Sequence, residues 1–98
     1  MPIQLTKAEC DVVKTIFHKH IPSMPFYLFG SRVKGTAKPY SDLDVVIIPE
    51  SPLPLSLLAL IEEDFSESDL PFKVDVIDWQ RISTEFQDLI RREWKKLN

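Results

Sequence analysis

Leu28-Phe29-Gly30-Ser31-Arg32, followed by Ser41-Asp42-Leu43-Asp44-Val45-Val46, is the stretch that decides how this chain folds. Residues 25 to 29 are aromatic-rich and bounded by Pro25 and Gly30, the composition of a short buried strand. Residues 43 to 48 are a mostly β-branched run, polar only at Asp44, that stops at Pro49, and they read as a second buried strand. The loop between them holds Gly30 and Gly35, the only two glycines of the chain. Gly30-Ser31 comes straight after a strand and is placed to open a short helix. A turn of that kind points backbone N–H groups and a hydroxyl at an incoming phosphate. Arg32, Lys34 and Lys38 follow with no acid among them, and the sign then reverses at Asp42 and Asp44. Strand alternation puts these two carboxylates on one face. Held side by side they repel, and both stay ionised comfortably only with cations between them. Hard oxygen ligands with no His or Cys nearby select Mg²⁺ or Mn²⁺ over zinc.

Working outward, residues 72 to 78 read as a third strand, and Asp75 lies between Val74 and Val76 within it. A carboxylate in such a segment is costly unless paired or bound to a metal, so Asp75 is the candidate third acid. Asp78 has the opposite parity and is expected to cap or to lie in a loop. Upstream, Thr6 and Glu9 make a capping-box pattern, and a helix is expected from Thr6 to His20, stopped by Pro22. Prolines 49, 52 and 54 stiffen a connector. Leu57, Leu58, Ile61 and Phe65 then give a helical stripe with Glu62, Glu63 and Asp64 on its wet side. Ser83 caps an expected last helix with apolar positions Phe86, Leu89, Ile90 and Leu97 and a basic end. The alternation predicts an α/β (α+β) fold, a small mixed sheet of three to four strands flanked by helices.

The length of 98 residues leaves room for one domain, spanning 1–98. The net charge of −3 argues against a protein built to grip a nucleic-acid backbone. No run is long enough to cross a membrane. A lone cysteine, Cys10, and no secretory pattern at Met1-Pro2-Ile3-Gln4 are expected of a cytoplasmic protein. Cys10, His18 and His20 read as packed or surface residues, because nothing at metal-ligand spacing accompanies them.

The combination of strand, Gly30-Ser31, residues 32 to 41, Asp42-Leu43-Asp44 and a β-branched strand resembles the DNA polymerase β-like nucleotidyltransferase superfamily. Its signature is Gly-Ser, ten residues, then Asp-x-Asp, which this spacing fits. Gly30-Ser31-Arg32-Val33-Lys34-Gly35-Thr36-Ala37 is similar to the Gly-Ser-Arg-x-x-Gly-x-Ala wording of the minimal nucleotidyltransferases. The resemblance covers about residues 25 to 78. It implies that Asp42, Asp44 and Asp75 are catalytic and hold two Mg²⁺ ions. Gly30 and Ser31 would hold the β- and γ-phosphates of ATP, and Arg32 would help neutralise them. An acceptor hydroxyl would attack the α-phosphorus, and pyrophosphate would leave.

No stretch is left over for an acceptor-binding domain, which is expected to place the acceptor on a partner. The resemblance then implies the antitoxin half of a toxin–antitoxin pair, transferring AMP to a tyrosine of an all-helical HEPN ribonuclease. The last helix with Trp79 and Trp94 is either a docking face or the completion of the core. Two other functions stay open: an antibiotic-type nucleotidyltransferase with a separate substrate subunit, and a binding-only antitoxin whose metal site is vestigial.

Overall fold

The computed structural model describes residues 3–97. Helix α1 spans Lys7–His20 and strand β1 Phe26–Phe29. The short helix α2 spans Ser31–Lys34 and strand β2 Leu43–Ile47. Helix α3 spans Leu55–Ser66, strand β3 Val74–Asp78 and helix α4 Thr84–Arg91, the last two joined by a 3-10 turn at Trp79–Arg81. No helix among the described residues is long and apolar enough to cross a membrane.

Local chemistry explains most boundaries. The expected capping box is present at α1: the Glu9 N–H donates to the Thr6 hydroxyl at 3.1 Å, and the Thr6 N–H to the Glu9 carboxylate at 2.8 Å. Pro22 lacks a donor, and α1 stops before it. Asp78 is a cap, as its parity suggested. Its buried carboxylate accepts from the Gln80 N–H at 2.8 Å and from the Leu53 N–H at 2.7 Å, tying the proline-rich connector to the end of β3.

The sheet order is β1-β2-β3, with β1 and β2 antiparallel and β2 and β3 parallel, so the sheet is mixed as expected. Side chains alternate across it. Leu43, Val45 and Ile47 point into a core shared with Val13, Ile16 and Phe17 of α1 and Leu58, Ile61 and Phe65 of α3. The opposite face carries a smaller cluster of Phe29, Val46 and Ile90, with Tyr27, Trp79, Phe86 and Trp94 packed on it. Trp94 stacks on Tyr27 with ring centroids 4.1 Å apart and lies 5.2 Å from Trp79. Both tryptophans are partly buried and pack on the smaller cluster.

Two expectations are corrected. The third strand begins at Val74, not Phe72, which packs in the larger core. The last helix ends at Arg91, well short of Leu97. After it the chain turns, and Lys95 forms an antiparallel bridge with Leu28 through two backbone bonds of 2.8 and 2.9 Å. The physical reason is the outer edge of β1, whose buried Leu28 amide and carbonyl would lack partners without it. Ile90, Trp94 and Leu97 recur at helical spacing, so periodicity alone extends the helix. In fact Leu97 packs against the larger core and Leu89 is half exposed, at 50%.

Candidate active site

The strand registers bring the expected acids into one row. Phe29 of β1 pairs with Asp44 of β2, and Asp44 pairs with Asp75 of β3. Asp42 stands one step before β2, on the same side as Asp44 and exposed. This corner lies on the sheet face that carries the smaller cluster. Asp44 is at its centre. Burial pushes its carboxyl up to about 6, and the nearby charges of Asp75, Asp42 and Glu93 push the same way. Asp75 is not a core carboxylate. It sits on an edge strand with its side chain 35% exposed, and one oxygen lies 3.2 Å from the Lys73 ammonium. That partner in turn holds the Lys73 ammonium above its ordinary pKa.

Among the described residues, no three carboxylate, imidazole or thiol groups close on one point tightly enough to hold a metal ion alone. The three acids share a corner rather than a cage. Mg²⁺ does not need a cage, because it takes one or two carboxylates and fills its shell with water and phosphate oxygens. A half-buried carboxylate whose charged form is disfavoured by burial and by the neighbouring acids is where such an ion lowers the energy most. The donor set therefore fits Mg²⁺.

Gly30 closes the other side of Asp44. It has φ 83° and ψ −160°, a backbone region essentially reserved for glycine. A Cβ built there would run into the Asp44 carboxylate oxygen. Glycine is thus required twice at this position, for its backbone angles and for the approach of Asp44. The Ser31 hydroxyl beside it makes no hydrogen bond among the described residues. Gly35 ends α2 in the left-handed conformation, with its N–H donating to the Ser31 carbonyl.

The nucleotidyltransferase domain family matches residues 9–97 of the chain. The chain belongs to that family. It is 46% identical over 90 residues to the "Probable protein adenylyltransferase MntA" of Haemophilus influenzae, covering 92% of this chain and 79% of the relative. The fold matches a chain in the crystal structure of a toxin–antitoxin with AMP-PNP, at TM-score 0.78 and 24% identity, covering 91% of this chain and 72% of that one. It also matches a chain in the complex of a tri-AMPylated Shewanella oneidensis HEPN toxin with an MNT antitoxin. There the TM-score is 0.67 and the identity 22%, covering 91% of this chain and 71% of that one. The resemblance to minimal nucleotidyltransferases carried by residues 30 to 44 is borne out.

Within this nucleotidyltransferase, Arg32 is placed differently from its expected contact with phosphate. It is buried, at 5% exposure. Its guanidinium donates to the carbonyls of Ser41, Gln4 and Pro39 at 3.0, 2.8 and 3.1 Å, and it lies 3.9 Å over the Phe72 ring. Each of its three nitrogens donates to a backbone carbonyl, so Arg32 shapes the loop that delivers Asp42. Arg32→Ala is expected to cost about 3 kcal/mol or more by orphaning three carbonyls and opening a void. Thermal unfolding should show the melting temperature lower by more than about 10 °C. Arg32→Lys should recover little, because an ammonium cannot reproduce the planar fork. A variant melting with the wild type would show that these bonds contribute nothing net.

Two site residues escaped the sequence reading. Gln4 straps the loop: its side-chain oxygen accepts from the Ala37 N–H at 2.9 Å, and its own N–H donates to the Arg32 carbonyl at 2.8 Å. Glu93 accepts the Gly30 N–H at 3.0 Å and pairs with Lys34 at 3.1 Å. A lone polar residue near a terminus carries no periodic signal, and Glu93 lies among the charged residues Arg91, Arg92, Lys95 and Lys96, where nothing in the spacing sets it apart.

Proposed function

We propose that this nucleotidyltransferase transfers AMP from ATP to a hydroxyl acceptor, a tyrosine of a partner HEPN ribonuclease toxin, and acts as its antitoxin. The observation that carries the proposal is the 46% identity to a protein adenylyltransferase over 92% of the chain. The row of Gly30, Asp44 and Asp75 supplies the chemistry. In this reading Gly30 and Ser31 hold the β- and γ-phosphates, Arg32 supports them by fixing the loop behind, and Asp42, Asp44 and Asp75 hold two Mg²⁺ ions. When bound, the ions neutralise the triphosphate and stabilise the entering and leaving oxygens. Asp75, on the outer strand and reachable from solvent, takes the proton of the acceptor hydroxyl. That oxygen forms its bond to the α-phosphorus, the bond to the bridging oxygen breaks, and pyrophosphate leaves. Because phosphoryl-type transfer needs placement and charge more than covalent chemistry, a small scaffold suffices. The protein works as a single domain in the cytoplasm, paired with its toxin.

The test is transfer itself. The chain is co-purified with its HEPN partner and given Mg²⁺ and ATP labelled on the α-phosphate. The label should move to the partner and stay at background with Asp42→Asn. A wild type that silences the partner without labelling it would leave a binding-only antitoxin. Label appearing on an added aminoglycoside-type compound instead would move the function to small-molecule modification.

A further inference from the structure

We infer that Glu93 is a positioning residue for the nucleotide, acting through the Gly30 amide and the Lys34 ammonium; the inference rests on the nucleotide-binding role proposed above. Its starting point is the edge of β1. Leu28 and Lys95 exchange two backbone bonds there. Continued by two residues, that antiparallel ladder would set Gly30 opposite Glu93. The chain has already left strand geometry at both places, with Gly30 at φ 83°. The backbone bond is therefore replaced by a side-chain one, from the Gly30 N–H to a Glu93 oxygen at 3.0 Å. The second oxygen of the same carboxylate lies 3.1 Å from the Lys34 ammonium, and the Glu93 side chain is only 17% exposed.

One carboxylate thus joins three elements: the end of β1, the helix α2 and the segment after α4. Gly30 is gripped from both sides, by Asp44 against its Cα and by Glu93 on its amide. A turn in an unfavourable backbone region persists only when its surroundings over-determine it, and Glu93 is one of the two restraints. Lys34 is the other beneficiary. Arg32 spends its nitrogens on carbonyls, so Lys34, with its side chain 54% exposed, is the cation of α2 that a polyphosphate beside Gly30-Ser31 can meet. Glu93 keeps that ammonium beside the turn instead of free in solvent.

The experiment measures binding of Mg·AMP-PNP by calorimetry and, with the HEPN partner present, KM against kcat for ATP. Glu93→Ala should weaken nucleotide binding about tenfold, the usual worth of one charge-assisted hydrogen bond. Its kcat at saturating ATP should stay within about threefold of wild type, since Asp42, Asp44 and Asp75 are all retained and Glu93 is the last and smallest of the influences on Asp44. Glu93→Gln keeps an acceptor for the Gly30 amide and should bind within about threefold of wild type. Lys34→Met leaves the amide bond intact and should weaken binding by about threefold. With ¹⁵N-glycine labelling the chain gives two amide signals, and the Gly30 signal of the free protein should move in Glu93→Ala while that of Gly35 stays. Wild-type affinity in Glu93→Ala would overturn the assignment, as would a Gln variant as weak as the Ala variant. If Glu93→Ala does not fold, wild-type affinity in Lys34→Met together with a weakened Gln variant overturns it equally. A wild type that binds no nucleotide would instead overturn the proposed function, and this inference with it.

Discussion

Asp44→Asn is expected to abolish AMP transfer and, in metal-free buffer at neutral pH, to make the protein more stable. The loss of transfer should be about a thousandfold or more, since a ligand to both the ions and the developing charge is worth about 4 kcal/mol. The gain in stability comes from the same carboxylate. Its pKa rises from 3.8 to about 6 on folding, through burial first and then through Asp75, Asp42 and Glu93. The folded chain therefore holds the Asp44 proton more tightly than the unfolded chain. Stability falls as pH rises from about 4 to about 6, and the whole deficit persists above that window. The shift corresponds to about 3 kcal/mol, reduced to about 1–2 kcal/mol by the solvent that reaches this half-buried group. Asn carries no charge, so its melting temperature at pH 7.5 should exceed that of wild type by several degrees, and the two should converge at pH 4. Mn²⁺ or Mg²⁺ with nucleotide should reverse the order at pH 7.5, by stabilising the wild type alone. Metal affinity should also drop as pH falls through about 6, because the ion must displace a proton. Calorimetric titration at pH 5 and 7.5 measures this. An Asn variant less stable than wild type at pH 7.5 would mean that favourable contacts, not burial, dominate at Asp44.

Gly30→Ala is expected to damage both the fold and the site. An alanine at φ 83° and ψ −160° carries about 1–3 kcal/mol of backbone strain. Its methyl group would also occupy the place of the Asp44 carboxylate oxygen. Either the turn opens or Asp44 swings away, and both take apart the row of Gly30, Asp44 and Asp75. A loss of about 3 kcal/mol in stability and more than about a hundredfold in Mg·AMP-PNP affinity should follow. Chemical unfolding and calorimetry measure the two. Gly35→Asn is the control, because Gly35 sits in a left-handed helix cap that Asn tolerates. It should cost less than about 1 kcal/mol and leave nucleotide binding intact. Equal behaviour of the two variants would show that the contact with Asp44 is unimportant.

The positions of Gly30, Ser31, Asp42 and Asp44 were legible because each depends on its neighbours in sequence. Arg32 was legible as a special residue, whereas its backbone partners were not. Its charge suggested phosphate, yet Gln4, Pro39 and Ser41 surround it with carbonyls that no spacing rule connects to it. The packing of Trp79 and Trp94 against Tyr27, Phe86 and Ile90 was likewise not legible in local spacing. The end of α4 was overrun for a related reason, since the unpaired edge of β1 overrides helical periodicity at Lys95.

By itself the sequence determined the short-range features. These are the capping box at Thr6, the glycine-bounded turn after β1, and the alternation that puts Asp42 and Asp44 on one face. Each follows from covalent spacing and backbone sterics within a few residues. Only the tertiary structure decided that β3 lies parallel to β2 with Asp75 opposite Asp44. It alone brought Glu93 to Gly30 across 63 positions of chain. Those meetings depend on burying the two faces of one small sheet and pairing its outer edge. That free energy belongs to the packed whole and leaves no mark on any local pattern.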